Sequence, residues 1–176
     1  MPGSTLRTLS TRLDRLAEII GRASAWLTLA LVLVTFAVVV LRYAFQFGSI
    51  AMQESILYLH ASVFMLGAAY TLLLDGHVRV DIFYRGFSRK RKALVDLLGA
   101  LFLLLPVCIF LLWSSWGYVA AAWSLHEGSG ETGGLPYVYL LKTLIPLAAL
   151  LLIVQGISQA LASLGTLLSV HGDDDP

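Results

Sequence analysis

The stretch QESILYLHASVFMLGAAYTLLLDGHVRVDIFYRGFSRKRK, from Gln53 to Lys92, decides how the chain is read. Between Ser55 and Leu74 it holds no Asp, Glu, Lys or Arg. That run of about 20 residues is long enough to cross the hydrocarbon layer of a bilayer. The character then changes abruptly, to Asp75, Gly76, His77 and Arg79, and on to Arg85, Arg89, Lys90, Arg91 and Lys92. Basic clusters beside a span belong on the cytoplasmic side. The stretch therefore reads as a transmembrane helix running into a cytoplasmic loop, and that junction orients the rest.

Composition agrees. The chain has 176 residues, 58% hydrophobic and 13% charged, whereas soluble domains carry about a quarter charged residues. A net charge of +1 gives no support to a nucleic-acid partner. The single cysteine, Cys108, lies in an apolar run and has no second thiol for a disulfide or metal site, so it reads as a small buried side chain.

Working outward, the predicted fold is an all-α integral membrane protein with four transmembrane helices and amphipathic surface helices at the N-terminus and in the central loop. Residues 1–24 form a basic arm: Leu6, Leu9, Leu13, Leu16 and Ile20 recur at helical steps, with Arg7, Arg12, Asp14, Arg15 and Glu18 between them. The leucine side is expected to lie on the membrane or against a partner helix. The arm is expected to stay in the mature protein, because the apolar run after it is too long for a signal-peptide core. Spans are expected over residues 26–45, 53–74, 93–123 and 137–168. The basic loop occupies 75–92, an outer loop 124–136 and a tail 169–176. Within 75–92 a short surface helix is expected, with Val80, Phe83 and Phe87 on one side and Asp81 paired to Arg85. Pro106 should kink the third span.

Ten of the twelve basic residues lie before the first span or in the central loop, so both termini are expected on the cytoplasmic side. Arg42 and Lys142 sit at the opposite ends of spans. A short connection at 46–51 makes the first two spans a hairpin, which predicts an Arg42–Glu54 ion pair. Glu54, Tyr58, Ala61 and Ala68 share one helix face, and Gly67, Ala68 and Ala69 add a small-residue patch that lets another backbone approach closely, a surface suited to protein contact. Gln155, Gln159 and Ser163 form a polar row that should face another helix. His60 reads as a packing residue, since no second histidine in another span could complete a haem site. The loop HEGSGETGGLP, His126 to Pro136, lacks the GK[ST] ending of a phosphate loop and reads as a flexible turn.

From Arg42 to Gly156 the chain resembles the small membrane subunit of the tripartite ATP-independent periplasmic (TRAP) transporters. The resemblance rests on Arg42 before Tyr43, Glu54 opening the second span, and the Gly-Ala-Ala run at Gly67. It continues through GHVRVD from Gly76 to Asp81, Glu127 with Ser129, Lys142 with Pro146, and Gln155 with Gly156. Met52 and His60 depart from it, standing where the family often has Trp and an aromatic or aliphatic residue. The resemblance implies no enzyme activity, cofactor or metal. It implies a static subunit of a bacterial or archaeal inner membrane, set in lipid beside a large elevator-type membrane subunit. That partner carries sodium and a small carboxylate delivered by a periplasmic binding protein. Interface or structural roles fall to Arg42, Glu54, Gly67, Gly76, His77, Arg79, Asp81, Lys142 and Gln155, to which the residue pattern adds Tyr58, Ala61, Ala68, Asp75 and Gln159. Glu127, Ser129 and Glu131 are candidates for touching the binding protein. The competing reading is a self-contained four-helix exporter coupled to protons through Glu54.

Overall fold

The computed structural model describes residues 2–77, 82 and 84–170, the side chains of residues 2–5, 7 and 170 excepted. Every regular element in that set is helical. Helix α1 spans Pro2–Ala44, α2 Ile50–Leu73, α3 Arg89–Gly99, α4 Leu105–Ser124 and α5 Val138–Val170, with a 3₁₀ turn at Tyr84–Gly86. Four helical stretches are long and apolar enough to cross a membrane: Thr8–Ala44, Ile50–Leu73, Arg89–Ser124 and Val138–Ser169.

Local chemistry sets the helix ends. Ser49 and Ser88 take extended backbone, and their hydroxyls accept from the Met52 and Arg91 amides, capping α2 and α3. Helix α2 stops where Asp75 turns left-handed at φ 55. The Gly76 amide then reaches back to the Thr71 carbonyl at 2.8 Å, and the Asp75 amide to Leu72 at 3.1 Å, the Schellman closure of a helix C-terminus. Helix α4 ends the same way with His126 at φ 46 and Glu127 bonded to the Ala122 carbonyl at 3.0 Å.

The third span does not break at Pro106. A π-helical turn over Ala100–Leu104 joins α3 to α4, and the Leu105 amide bonds to the Ala100 carbonyl. Proline removes one donor from the i to i−4 ladder, and the wider turn just before it absorbs the mismatch.

Helix α5 lies in the middle, packed on α1, α2, α3 and α4, while α1 and α2 form the hairpin beside it. Most of the buried residues are small: Ala17, Ala69, Ala93, Ala100, Cys108, Ala122, Ala148, Ala149 and Ala160, with Ser10, Ser24, Ser115, Ser158 and Ser163; Val119, Leu151 and Gln155 are the larger ones. The large side chains point outward, among them Trp26, Phe36, Phe64, Phe102, Phe110 and Trp113. That is the arrangement for a lipid solvent, where helices gain by close backbone approach rather than by hiding apolar rings from water. At the centre of the hairpin side, Ala17 and Ile20 of α1 meet Leu66, Ala69 and Leu73 of α2 and Leu151 and Leu152 of α5.

The N-terminal arm corrects its sequence reading. It is not a separate surface helix: α1 runs unbroken from Pro2 to Ala44. Along the leucine side Leu9 and Leu16 are exposed and Leu6, Leu13 and Ile20 half-buried, while the fully buried positions are Ser10, Ala17 and Ser24. Gly21 belongs to the same inner stripe, and a Cβ there would fall into the Tyr70 ring of α2. Leucine periodicity marks the inner face only when water surrounds the helix; in a bilayer the small residues mark it. Of the surface helix expected in 75–92, Val80, Asp81 and Phe83 lie outside the described residues.

Candidate functional site

Ionisable and polar side chains gather at the two ends of the bundle. At the end where α1 meets α2 and α4 meets α5, Glu54 in the first turns of α2 holds the 125–137 loop. One carboxylate oxygen accepts from the Ser129 hydroxyl, and the other accepts from the Leu135 amide at 2.6 Å. The Ser129 hydroxyl also accepts from the Glu131 amide at 3.1 Å. The loop closes on itself through Ser129 to the Leu135 carbonyl at 2.9 Å and Gly134 to the Glu131 carbonyl at 3.0 Å. Gly134 has no room for a side chain, since a Cβ would strike Ser129 and the Glu54 carboxylate. The loop read as flexible is therefore a fixed cap.

Beside it, Lys142 of α5 pairs with both oxygens of Glu127, at 2.5 and 2.7 Å, and sits 4.0 Å over the Tyr118 ring of α4. Trp123 donates to the Thr143 hydroxyl at 2.8 Å and meets Tyr139 edge-on. Aromatic rings and one half-buried cation thus close α4 to α5 at the same end as Glu54.

The expected Arg42–Glu54 pair does not form. Both Glu54 oxygens are used by the loop, and among the described residues Arg42 makes no salt bridge and is exposed. The short α1–α2 connection brings the two helix ends near each other. The carboxylate nevertheless faces inward, toward a loop roughly 75 residues further along the chain.

At the opposite end, Asp14 of α1 accepts from the Gln155 side-chain amide at 3.0 Å and from the Ser158 hydroxyl at 2.6 Å, both on α5. Ser158 also lies 3.0 Å from the Ser10 carbonyl. Of the polar row, Gln155 faces α1 of the same chain, and Ser163 lies beside Arg89, Lys92, Ala93 and Asp96 of α3. Gln155 and Ser163 are buried; Gln159 lines a cavity of about 240 Å³ with Asp14, Asp75, Tyr84, Asp96, Gln155 and Ser158. Tyr84 donates to Asp96 at 2.7 Å, and Lys92 stands 5.4 Å from the Tyr84 ring. His77 folds back to the Ala68 carbonyl at 3.3 Å, and a Cβ on Gly76 would press on Thr71. Arg79 lies outside the described residues, as does Asp81.

The remaining named positions divide between two sides of α2. Tyr58, Ala61 and Ala68 are half-buried, and the Tyr58 hydroxyl is buried with no hydrogen-bond partner among the described residues. Gly67 points the other way, with nothing within 4 Å of a Cβ built on it. Glu131 is exposed. Among the described residues no three His, Cys, Asp or Glu side chains are grouped to hold a metal ion.

Asp14 and its partners were invisible to a reading by leucine period. The signal was present as Ser10, Asp14, Ala17, Gly21 and Ser24, recurring at steps of four and three. Asp14→Leu is expected to lower unfolding stability by about 1–3 kcal/mol, because the buried Gln155 amide loses its acceptor while Ser158 can turn to the Ser10 carbonyl. The exposed Arg15→Ala should change it by less than about 0.5 kcal/mol. Thermal unfolding of both variants in the same detergent checks the contrast; equal midpoints would refute it.

Taken together, an inside-out core and four long apolar helices define a multi-pass helical membrane protein. The profile of the family described as tripartite ATP-independent periplasmic transporters, DctQ component, matches residues 31–166, and the chain belongs to that family. Searches of curated proteins and of solved structures returned no match.

Proposed function

We propose that this chain is the static membrane subunit of its transporter. In this reading it stands beside a large elevator-type subunit that moves a small carboxylate with sodium, and a periplasmic binding protein delivers the substrate. The observation that carries the reading is where the ionisable groups are spent. Glu54, Glu127 and Lys142 are consumed by a lock at one end, and Asp14 by a lock at the other. A midplane ion site needs carboxylates or unwound carbonyls at the centre of the bilayer, and α1, α2 and α5 each cross as unbroken helices. The basic end, with Arg89, Lys90, Arg91 and Lys92, faces the cytoplasm by the positive-inside rule, so the 125–137 cap faces the binding protein. Since Glu127 and Ser129 are used internally, the exposed Glu131 is the acid left for that contact.

Reconstitution tests this. Liposomes holding this chain alone should show no sodium-driven uptake when supplied with the binding protein. Liposomes holding it with the large subunit, at equal stoichiometry, should take up substrate. Uptake by this chain alone would overturn the proposal.

A further inference from the structure

Within the chain, α1 takes up Gln155 of the polar row and α1 and α5 pack on the Ala69 side of α2, which leaves the opposite side of α2 uncovered. A helix turns about 100° per residue, which sets Gln53, His60, Gly67 and their neighbours Leu57 and Phe64 on the side of α2 opposite the buried Ala69. Leu57 is 56% exposed and Phe64 72%. His60 is exposed too, roughly ten residues or about 15 Å from the Ile50 end of the helix, close to mid-bilayer. Hydroxyls exposed elsewhere in the spans satisfy themselves: Thr35 donates to the Leu31 carbonyl at 2.7 Å and Ser114 to Leu111 at 3.3 Å. Among the described residues the His60 imidazole has no hydrogen-bond partner. Acyl chains offer none, and an unpaired polar group in hydrocarbon is costly. The aromatic face of α4, with Phe110, Trp113 and Trp116 exposed, presents indole N–H donors but no ring that both donates and accepts as imidazole does.

We propose that the Gln53–Leu57–His60–Phe64–Gly67 face of α2 seats a transmembrane helix of the large subunit, which supplies a hydrogen-bonding group to His60. The inference rests on the subunit role proposed above. The occupant is a protein helix rather than lipid because only protein can partner an imidazole at that depth. It comes from the large subunit because the chain is one component of a multi-part transporter. Gly67, with open space over it, lets that helix come close one to two turns below His60.

Photo-crosslinking in cells that co-express both subunits tests the seat. Benzoylphenylalanine at Leu57 or Phe64 should capture the large subunit, and at Trp113 should not. His60→Leu should reduce co-purification at least roughly threefold, the scale of one interhelical hydrogen bond in a membrane, and His60→Gln should restore part of it. If the two subunits co-purify but crosslinks arise only from Trp113, the seat is wrong and the subunit role stands. If Phe64 captures a second copy of this chain, the occupant is wrong. If no position captures the large subunit and the two never co-purify, the subunit role itself fails, and the seat with it.

Discussion

Glu54→Leu is expected to abolish recovery of folded protein. Its carboxylate accepts from the Ser129 hydroxyl and the Leu135 amide, and leucine would leave both donors unpaired under the cap while removing this two-oxygen tie between α2 and the 125–137 loop. Glu54→Gln should be intermediate, since its single carbonyl oxygen can serve one donor and its amide can serve neither. The measurement is the fraction of monodisperse protein on size-exclusion chromatography, followed by uptake per assembled complex. Uptake per complex is expected to be unchanged for Glu54→Gln. The opposite pattern, full assembly with no transport, is what a proton-coupling carboxylate would give and would favour the exporter reading.

Gly21→Val should be nearly as damaging by a different route. The Cβ of any residue at position 21 would enter the Tyr70 ring close to its root, where the ring cannot swing aside without moving α2. Overpacking of this kind costs about 1–3 kcal/mol and often more when the obstructing atoms lie near backbone. Gly117→Val on α4 is the matched control, because nothing lies within 4 Å of a Cβ there. Thermal unfolding in detergent should separate them, with Gly21→Val well below wild type and Gly117→Val close to it. Similar midpoints would mean that α1 and α2 are not held together at this point.

Element type was readable because apolar runs near bilayer length leave few alternatives: the uncharged segment from Ser55 to Leu74 could hardly be anything but a span. The direction in which each helix faces was far less readable. Leu9 and Leu16 read as lying on the membrane or against a partner helix and are exposed, whereas Gly21 and Asp14 face the rest of the bundle. In a lipid solvent hydrophobicity no longer sorts inside from outside, so the informative residues are the small and polar ones.

The candidate site was legible as a list and not as a set of pairs. Glu54, Glu127, Ser129 and Lys142 were all named from sequence, but the bonds join Glu54 to Ser129 and Glu127 to Lys142. Such pairings cross long stretches of chain and depend on how a loop folds back, which local spacing does not encode. Arg42 illustrates the hazard, for nearness along the hairpin suggested a partner that the carboxylate does not use.

The central claim is that this subunit does not move during transport. Spin labels at Gly130 in the cap and Lys90 at the start of α3, both exposed, report the distance between the two ends of the bundle. In the assembled transporter that distance distribution should be the same with sodium and substrate as without them. A shift on the order of 5 Å, about one helical turn, that appears with sodium and substrate would contradict it.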